Sequence, residues 1–230
     1  MRRPGFHTKT AIIDNSIDHA VYNPIQHWKP HLKGEWRDFR APFRILPDLD
    51  EGWTHLILTG SEVSILERED WVREEVFLVQ EALEQGLSIL GSCYGHQLLA
   101  MAICGPSHLR RCSHPEVGWI PVQINKDSDL LGKKRKAFCF SSHFDEVINL
   151  GPEFHILASS EHCLIQAIQW KKKSVWGIQM HPEISIKQGK IFLKNVISRG
   201  FETSAFFEEA LKQKPKDSGL IHQIMDKFFS

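Results

Sequence analysis

The sequence has no excess of charge of either sign, since 28 lysines and arginines are matched by 28 aspartates and glutamates. It therefore lacks the basic field that attracts nucleic acid or an anionic membrane, and we expect neither as a partner. No apolar run approaches the roughly 20 residues that cross a bilayer, so no membrane span is predicted. The basic start at Met1–Gly5 leads into an apolar run that is too short for the core of a signal peptide.

The five cysteines lack the even number and regular spacing of a disulfide framework. Free thiols persist in a reducing compartment, so the predicted location is the cytoplasm. Cys104, His108 and Cys112 are spaced four residues apart, but Gly105-Pro106 would break any helix that aligned them as zinc ligands. The phosphate-binding pattern G-x-x-x-x-G-K-[ST] is also missing from the sequence. We therefore expect neither a metal nor an organic cofactor.

Apolar runs and helical stripes alternate along the first half of the chain. The patterns predict strands at 10–14, 55–58 and 87–90, and helices at 67–84 and 94–103. Residues 15–47 show weak periodicity and are predicted mostly as loop, with a candidate short strand over 39–45. Alternating strands and helices are typical of a doubly wound, mostly parallel α/β sheet flanked by helices, which binds ligands at the carboxyl ends of its strands.

After residue 105 the pattern changes to short strand-like pieces, which predict a small additional β region. These pieces lie at 119–124, 137–140, 155–158, 164–170 and 175–179. Helical patterns follow at 186–199, 204–213 and 219–229. A chain of this length fits one domain over residues 1–230, with a core at about 10–190 and C-terminal helices at about 186–229.

The segment Gly91-Ser92-Cys93-Tyr94-Gly95 connects a predicted strand to a predicted helix. A nucleophile on a sharp strand-to-helix turn needs small neighbours, and glycines stand on both sides of Cys93. The N-terminus of the following helix directs free N–H groups and a positive dipole end toward the sulfur, which favours the thiolate. Cys93 is therefore the candidate nucleophile; the alternative is a buried cysteine in an ordinary turn.

A cysteine nucleophile needs a base, and the base needs an orienting partner. Among the 13 histidines, His181 follows the strand-like run at 175–179 and should therefore lie at the carboxyl end of a strand. Pro182 keeps the backbone extended, and residues two apart in an extended chain point the same way. Glu183 is thus placed to orient the His181 ring. His96 follows the elbow too closely to return to the sulfur, so we expect it to be structural.

The motifs Gly-Ser-Cys-Tyr-Gly-His-Gln and His-Pro-Glu resemble those of the class I (triad) glutamine amidotransferase family. Thr59–Ser64 resembles the glycine loop after the family's third strand, although Thr-Gly-Ser replaces the common Gly-Gly-Pro. Glu116–Trp119 and Ser142–Asp145 resemble blocks of the branch related to the amidotransferase domain of GMP synthetase. Ser92 stands where many members have an apolar residue. The resemblance covers roughly residues 10–190 and implies a flavodoxin-like fold.

The resemblance assigns a role to each motif residue. Cys93 becomes the nucleophile, His181 the general acid and base, and Glu183 the residue that orients His181. The resemblance further implies an oxyanion hole formed by two backbone N–H groups and a glutamine pocket. The oxyanion-hole residues are Gly60 and Tyr94, and the substrate-binding residues are Gln97, His143 and Asp145. The implied reaction is hydrolysis of the γ-amide of glutamine through a γ-glutamyl thioester.

Family members that use the released ammonia carry a synthetase domain or bind a synthase subunit. The residues after about 190 are too few for such a domain, so we expect either a synthase partner or independent action on a small γ-glutamyl compound. Two alternatives therefore stay open. One is a free-standing γ-glutamyl peptidase that acts on γ-glutamyl peptides or conjugates. The other is a non-catalytic regulatory or binding module of the same fold, which the retained cysteine, histidine and glutamate disfavour.

Overall fold

One mixed sheet organises the residues that the computed structural model describes, which are 8–171, 173–200 and 203–230. Within these residues nine strands are formed: β1 (Lys9–Asp14), β2 (Glu35–Arg40), β3 (His55–Leu58), β4 (Ser88–Ser92), β5 (Leu109–Ile124), β6 (Arg135–Val147), β7 (Phe154–Ser159), β8 (Ala167–Trp170) and β9 (Val175–Ile178). Their order is β2-β1-β3-β4-β9-β8-β7-β5-β6. The first five strands in that order pair in parallel, and the remaining pairs are antiparallel.

The parallel half of the sheet brings three loops to one edge. Strand β3 pairs with β4, with Leu58 opposite Gly91, and β4 pairs with β9. Parallel strands end at the same edge of a sheet, so Gly60, Cys93 and His181, which follow β3, β4 and β9, converge there. The predicted flavodoxin-like fold, with a parallel central sheet, is thereby confirmed.

The antiparallel half continues the same sheet and is larger than the predicted small β region. Strands β5 and β6 have 16 and 13 residues, whereas the sequence pattern indicates only 119–124 and 137–140. A bulge between Arg111 and Glu116 interrupts the alternation in the first half of β5, which explains why only its second half was predicted.

Six α-helices are found among the described residues: α1 (Pro24–Trp28), α2 (Val72–Gln85), α3 (Tyr94–Cys104), α4 (Ile186–Arg199), α5 (Ser204–Lys212) and α6 (Leu220–Phe228). The last three match the predicted C-terminal helices to within one residue. Helix α2 begins five residues later than predicted, because the residues before it form turns. None of the helices in the described part of the chain is long and apolar enough to cross a membrane. The assignment of the chain to one domain stays a prediction.

The prediction for residues 15–47 is partly wrong. The edge strand lies at Glu35–Arg40 rather than over 39–45, and a short helix begins at Pro24, where the Asn23 side chain accepts a hydrogen bond from the backbone N–H of Gln26. Strand β2 pairs on one side only and is largely exposed, so it lacks the apolar run by which buried strands are found. The Asn-Pro pair is a helix-start signal that the weak periodicity concealed.

The parallel sheet separates two apolar cores. Leu56 and Leu58 of β3 pack into a cluster that includes residues of α2 and α3. Ile57, which points to the other face, packs into a second cluster with Ile224 and Phe228 of α6. Both faces of the central strands are therefore covered, which fixes the strand ends that carry the site.

A carboxyl group is buried beneath the site, between α2 and α3. Glu75 is fully buried, and its Oε2 accepts a hydrogen bond of 3.1 Å from the Tyr94 hydroxyl. Burial raises the pKa of Glu75 from 4.5 to about 8, and the hydrogen bond from Tyr94 opposes this shift. The folded protein therefore holds Glu75 protonated at neutral pH, whereas the unfolded chain ionises it.

This burial predicts a pH-dependent stability that Glu75→Gln removes. Because the folded pKa is the higher one, the contribution of Glu75 is complete below about pH 4.5 and is lost as pH rises toward 8. Between these two pH values, ionisation of Glu75 in the unfolded chain lowers the free energy of unfolding by about 1.4 kcal/mol for each pH unit. Urea unfolding of wild type and Glu75→Gln at several pH values measures the difference. Parallel stability curves for the two proteins would contradict this assignment.

Candidate active site

Cys93 lies on a strained turn between β4 and α3. Its φ is +50° and its ψ is −106°, a conformation that residues other than glycine rarely adopt. The Cys93 N–H donates a hydrogen bond of 2.8 Å to the carbonyl oxygen of Ile178 on β9, which ties the turn to the neighbouring strand. Only 5% of the residue is exposed. This is the nucleophile-elbow geometry that the sequence predicts, and the strain is of the kind found at functional sites.

Close backbone approaches explain the small residues around the elbow. A Cβ at Gly95 would collide with the carbonyl oxygen of Leu58 and lie 2.6 Å from the Leu58 side chain. A Cβ at Gly91 would collide with the Gly95 carbonyl. Helix α3 can therefore begin directly against β3 and β4 only if Gly95 and Gly91, respectively, lack a side chain.

We expect Gly95→Ala to destabilise the fold by about 3 kcal/mol, because its backbone neighbours cannot move aside. Gly86→Ala is the matched control, since Gly86 ends α2 at φ +77° with no atom near its missing Cβ. Its cost should be about 1 kcal/mol, from backbone strain alone. Urea unfolding of the two variants gives the comparison, and equal losses would show that the contact with Leu58 has no energetic weight.

His181 and Glu183 lie on the same side of the chain, as predicted. Nδ1 of His181 and Oε1 of Glu183 are 2.7 Å apart, and both side chains are buried. The His181 backbone N–H donates to the carbonyl oxygen of Phe140 on β6 at 2.8 Å, which anchors the residue to the antiparallel half of the sheet. The carboxylate thus fixes the orientation of the ring and directs the other ring nitrogen away from itself.

The charges around His181 favour its protonated form. Burial alone would lower the pKa of the imidazole, but the negative charges of Glu183 and Cys93, and hydrogen bonds to both, outweigh burial and raise the pKa. An imidazolium beside the sulfur stabilises a thiolate, and the N-terminus of α3 adds its positive end. The arrangement is therefore chemically suited to a thiolate nucleophile with a proton donor beside it.

Tyr22 is a site residue that the sequence pattern does not reveal. Its hydroxyl donates to Oε1 of Glu183 at 3.4 Å, and its ring meets that of His181 edge-on at 5.9 Å. Burial and the nearby Glu183 carboxylate raise the pKa of Tyr22 well above its ordinary value, so the phenol keeps its proton. No local signal marks this residue, because it comes from the loop after β1 and reaches the site only through the fold.

Gly60 and Tyr94, the two residues predicted for an oxyanion hole, come from the loop after β3 and from the start of α3. Gly60 follows β3, and a Cβ on it would come within 2.7 Å of the His181 ring. Tyr94 is the first residue of α3. Among the hydrogen bonds of the described residues, none uses the backbone N–H of Gly60 or Tyr94, so both donors are free for a substrate oxygen. The loop that carries Gly60 is held by the Gly95 N–H, which donates to the Thr59 carbonyl at 3.1 Å.

A cavity of about 790 Å³ opens over Cys93. One part of its lining is polar: Nε2 of Gln97 donates to the Asp145 carbonyl oxygen at 2.8 Å, and the Asp145 carboxylate accepts from Ser64 at 2.6 Å. Arg111 lies 3.0 Å from the same carboxylate. Gln97 and Asp145 thus line the cavity as predicted, whereas Ser64 and Arg111 were not identified from the sequence.

His143 also borders the cavity, but its ring is turned into the sheet. Nε2 lies 3.0 Å from Oε2 of Glu116, and Nδ1 lies 3.1 Å from the Asp145 carbonyl oxygen. Ligand atoms of Glu116, His143 and Cys163 come within 4.8 Å of one another, a donor set that zinc could use. The Glu116 oxygen that faces His143 also accepts a 2.6 Å hydrogen bond from Gln166. These hydrogen bonds join Glu116 of β5 to His143 of β6 behind the cavity.

The remaining histidines near the site have structural positions. His96 is fully buried against Gly177, and burial lowers its pKa to about 3, so it stays neutral. This agrees with the structural role expected for it. His27, within the stretch predicted mostly as loop, lies in α1 and stacks on Tyr22 at 5.7 Å. Cys112 contacts His143 rather than Cys104 or His108. The three residues with four-residue spacing are therefore not brought together as zinc ligands.

The model of the family described as glutamine amidotransferase class-I matches residues 13–198. The chain belongs to this family. The class-I glutamine amidotransferase model thus spans all the motif residues identified above. All five cysteines are free thiols, in agreement with the expected absence of a disulfide framework.

Individual relatives of this class-I glutamine amidotransferase chain include a subunit of the glutamine-hydrolyzing GMP synthase from Methanococcus maripaludis strain C6. The two are 38% identical over 131 residues, which are 56% of this chain and 66% of the relative. The match therefore spans just under two thirds of the relative's length. GMP synthase (glutamine-hydrolyzing) from Caldicellulosiruptor saccharolyticus is 32% identical over 172 residues, which are 71% of this chain and 32% of that protein.

Solved structures support the fold of the amidotransferase chain. A glutamine amido transferase from Methylobacillus flagellatus superposes with a TM-score of 0.74 at 18% identity, covering 97% of this chain and 94% of that one. A putative GMP synthase subunit from Thermoplasma acidophilum superposes with a TM-score of 0.65 at 23% identity, covering 91% of this chain and 100% of that one. At these identities the likeness concerns the fold alone.

Proposed function

We propose that this chain hydrolyses the γ-amide of L-glutamine through a Cys93 thioester and releases ammonia and glutamate. The observation that carries the proposal is a strained, buried Cys93 that shares a hydrogen bond with the His181 ring, which Glu183 holds at 2.7 Å. Membership of the glutamine amidotransferase family supports the same chemistry. The complete set of nucleophile, base and orienting carboxylate argues against a purely regulatory or binding module.

In the first half-reaction the Cys93 thiolate attacks the γ-carbonyl carbon. The carbonyl oxygen becomes an oxyanion that accepts hydrogen bonds from the N–H groups of Gly60 and Tyr94. The C–N bond then breaks, and the His181 imidazolium gives its proton to the leaving nitrogen, so that ammonia departs and a γ-glutamyl thioester remains. Gln97 and Asp145 are proposed to hold the amino acid end of the substrate, with His143 supporting that wall from behind.

In the second half-reaction neutral His181 takes a proton from water, and the resulting hydroxide attacks the thioester carbon. Collapse of the oxyanion breaks the C–S bond and restores the thiolate beside the imidazolium. The γ-carboxylic acid loses its proton to solvent. Glu183 stays ionised throughout and stabilises the imidazolium that forms in each cycle. No metal or organic cofactor enters these steps.

The ammonia is proposed to pass to a synthase chain that binds this one. The relatives from Methanococcus are named as a subunit of GMP synthase, which supports a partner of this kind. We propose the cytoplasm as the compartment, because five free cysteines without framework spacing suit a reducing environment.

Glutamate release from L-glutamine tests the proposal, with L-asparagine as the shorter control substrate. We expect glutamate and ammonia in equal amounts and no reaction with asparagine, whose carbonyl falls one methylene short of the sulfur. Added hydroxylamine should divert the product to γ-glutamyl hydroxamate, because it intercepts a thioester. Glutamate formed without any hydroxamate would indicate direct attack by water and would overturn the thioester mechanism.

A further inference from the structure

One side of the cavity is apolar, and this side adjoins His181. Ile184 follows His181 by three residues, and its backbone N–H donates to the His181 carbonyl at 3.2 Å. The Tyr22 ring, which meets that of His181, also meets the Phe192 ring edge-on at 5.8 Å. Together with Phe207, 6.2 Å from Phe192, these groups form a continuous apolar wall. The wall lines the cavity through Val21, Ile184, Phe192, Val196 and Phe207.

The position of this wall relates it to the leaving group. His181 donates its proton to the nitrogen that departs, so whatever is attached to that nitrogen lies on the His181 side of the cavity. The polar lining residues Gln97 and Asp145 are hydrogen-bonded to each other, and they are suited to the charged amino acid end. Ammonia has no apolar surface to bury against such a wall. A leaving nitrogen that carries a hydrocarbon group has apolar surface that the wall can bury.

The wall belongs to the interior of the cavity rather than to an exposed docking face. Exposure is 7% for Val21, 2% for Ile184, 5% for Val196 and 4% for Phe207. Phe192, the fifth member of the wall, is half-buried. Four of the five side chains are therefore largely covered before anything binds, unlike those of an exposed docking face. At about 790 Å³ the cavity lies within the roughly 300–1,000 Å³ of sites for drug-sized ligands, and glutamine would fill only part of it.

Polar contacts hold the wall in place before any substrate binds. The loop that carries Val21 is tied to α4 by Arg199, which lies 2.8 Å from Asp18, and by Asn195, which donates to the Ala20 carbonyl at 3.2 Å. Phe192 is carried by the same helix. The apolar pocket is therefore preformed, which lowers the entropic cost of filling it.

From this arrangement we infer that the site also accepts γ-glutamyl amides whose nitrogen carries an apolar group, and releases the corresponding amine. The inference rests on the proposed Cys93 chemistry and extends its substrate class. The same bonds form and break: the thiolate attacks the γ-carbonyl, the C–N bond breaks, and His181 protonates the leaving nitrogen, so that R–NH₂ departs in place of ammonia. Water then hydrolyses the same thioester to glutamate.

A series of N5-substituted glutamines tests the inference: methyl, ethyl, butyl and benzyl amides beside L-glutamine, with glutamate release as the readout. We expect kcat/KM to rise about fourfold for each methylene added from methyl to butyl, the effect of burying one CH₂ group. A fall in kcat/KM along the series, with glutamine still hydrolysed, would overturn the inference alone. Loss of every reaction, including glutamine, would instead reject the proposed function on which it rests.

Phe192→Ala provides the matching variant. We expect it to lower kcat/KM for the butyl and benzyl amides about tenfold while changing that for glutamine less than about threefold, so glutamine turnover reports that the variant is folded. Ile191→Ala is the control, because Ile191 is the preceding residue of α4 and half of it is exposed. It should leave the whole series unchanged. If Phe192→Ala lowered kcat/KM for glutamine and for the butyl amide by the same factor, the result would contradict an apolar leaving-group pocket.

Discussion

Replacing Cys93 with alanine should reduce kcat/KM for glutamine hydrolysis by at least about 10⁴-fold, because no other group at the site can form the thioester. The fold should survive, since alanine keeps the Cβ and the backbone already holds φ +50° at this position. Glutamate release and urea unfolding measured on the same preparation separate the two effects. We expect a change in the free energy of unfolding of less than about 1 kcal/mol.

The other cysteines provide the control for this result. Burial raises the pKa of each of their thiols, so none is set up as a nucleophile: Cys104, Cys112, Cys139 and Cys163. Cys104→Ala, on the half-exposed end of α3, should keep full activity. Iodoacetamide at neutral pH should label Cys93 first. Substantial glutamine hydrolysis by Cys93→Ala would remove the nucleophile assignment altogether.

Glu183→Gln should lower kcat by roughly 10³–10⁴-fold, the scale on which removing the carboxylate disables a nucleophile–imidazole–carboxylate triad. The amide keeps the shape of the carboxylate but loses its charge. Because that charge is a principal cause of the raised His181 pKa, the pKa should fall by about 1–3 units in the variant.

The pH dependence distinguishes this role from a merely structural one. In the proposed mechanism the imidazolium is the proton donor to the leaving nitrogen, so activity should be lost as pH rises through the His181 pKa. The alkaline limb of the kcat/KM profile should therefore move to lower pH in Glu183→Gln. Glu84→Gln, an exposed change of the same type on α2, should leave the profile where it is. An unshifted alkaline limb in Glu183→Gln would mean that Glu183 does not control the charge on His181.

The sequence predicted those parts of the site that local rules determine. Cys93 was found because the glycines at 91 and 95 reflect backbone contacts so close that a Cβ is excluded. His181 and Glu183 were found because an extended backbone through Pro182 fixes the relative direction of two side chains. Both signals lie within a few residues of the chain, and the structure brings the predicted side chains together.

What the sequence did not reveal depends on contacts between distant segments. Tyr22 meets Glu183 across 161 positions, and Phe192 and Phe207 reach the cavity only because α4 and α5 fold back over the sheet. The edge strand Glu35–Arg40 was misplaced because it is mostly polar and pairs on one side only. Periodicity reports burial within one element, and these features arise between elements.

The most direct test of the account is to label the site with a glutamine analogue that carries a diazoketone in place of the γ-amide, which alkylates an attacking thiolate irreversibly. The account predicts one label per chain, located on the peptide that contains Cys93 by mass spectrometry, with labelling slowed by excess glutamine. Labelling of a different residue, or labelling of Cys93 that glutamine does not slow, would contradict a Cys93 thiolate acting on a bound γ-glutamyl group.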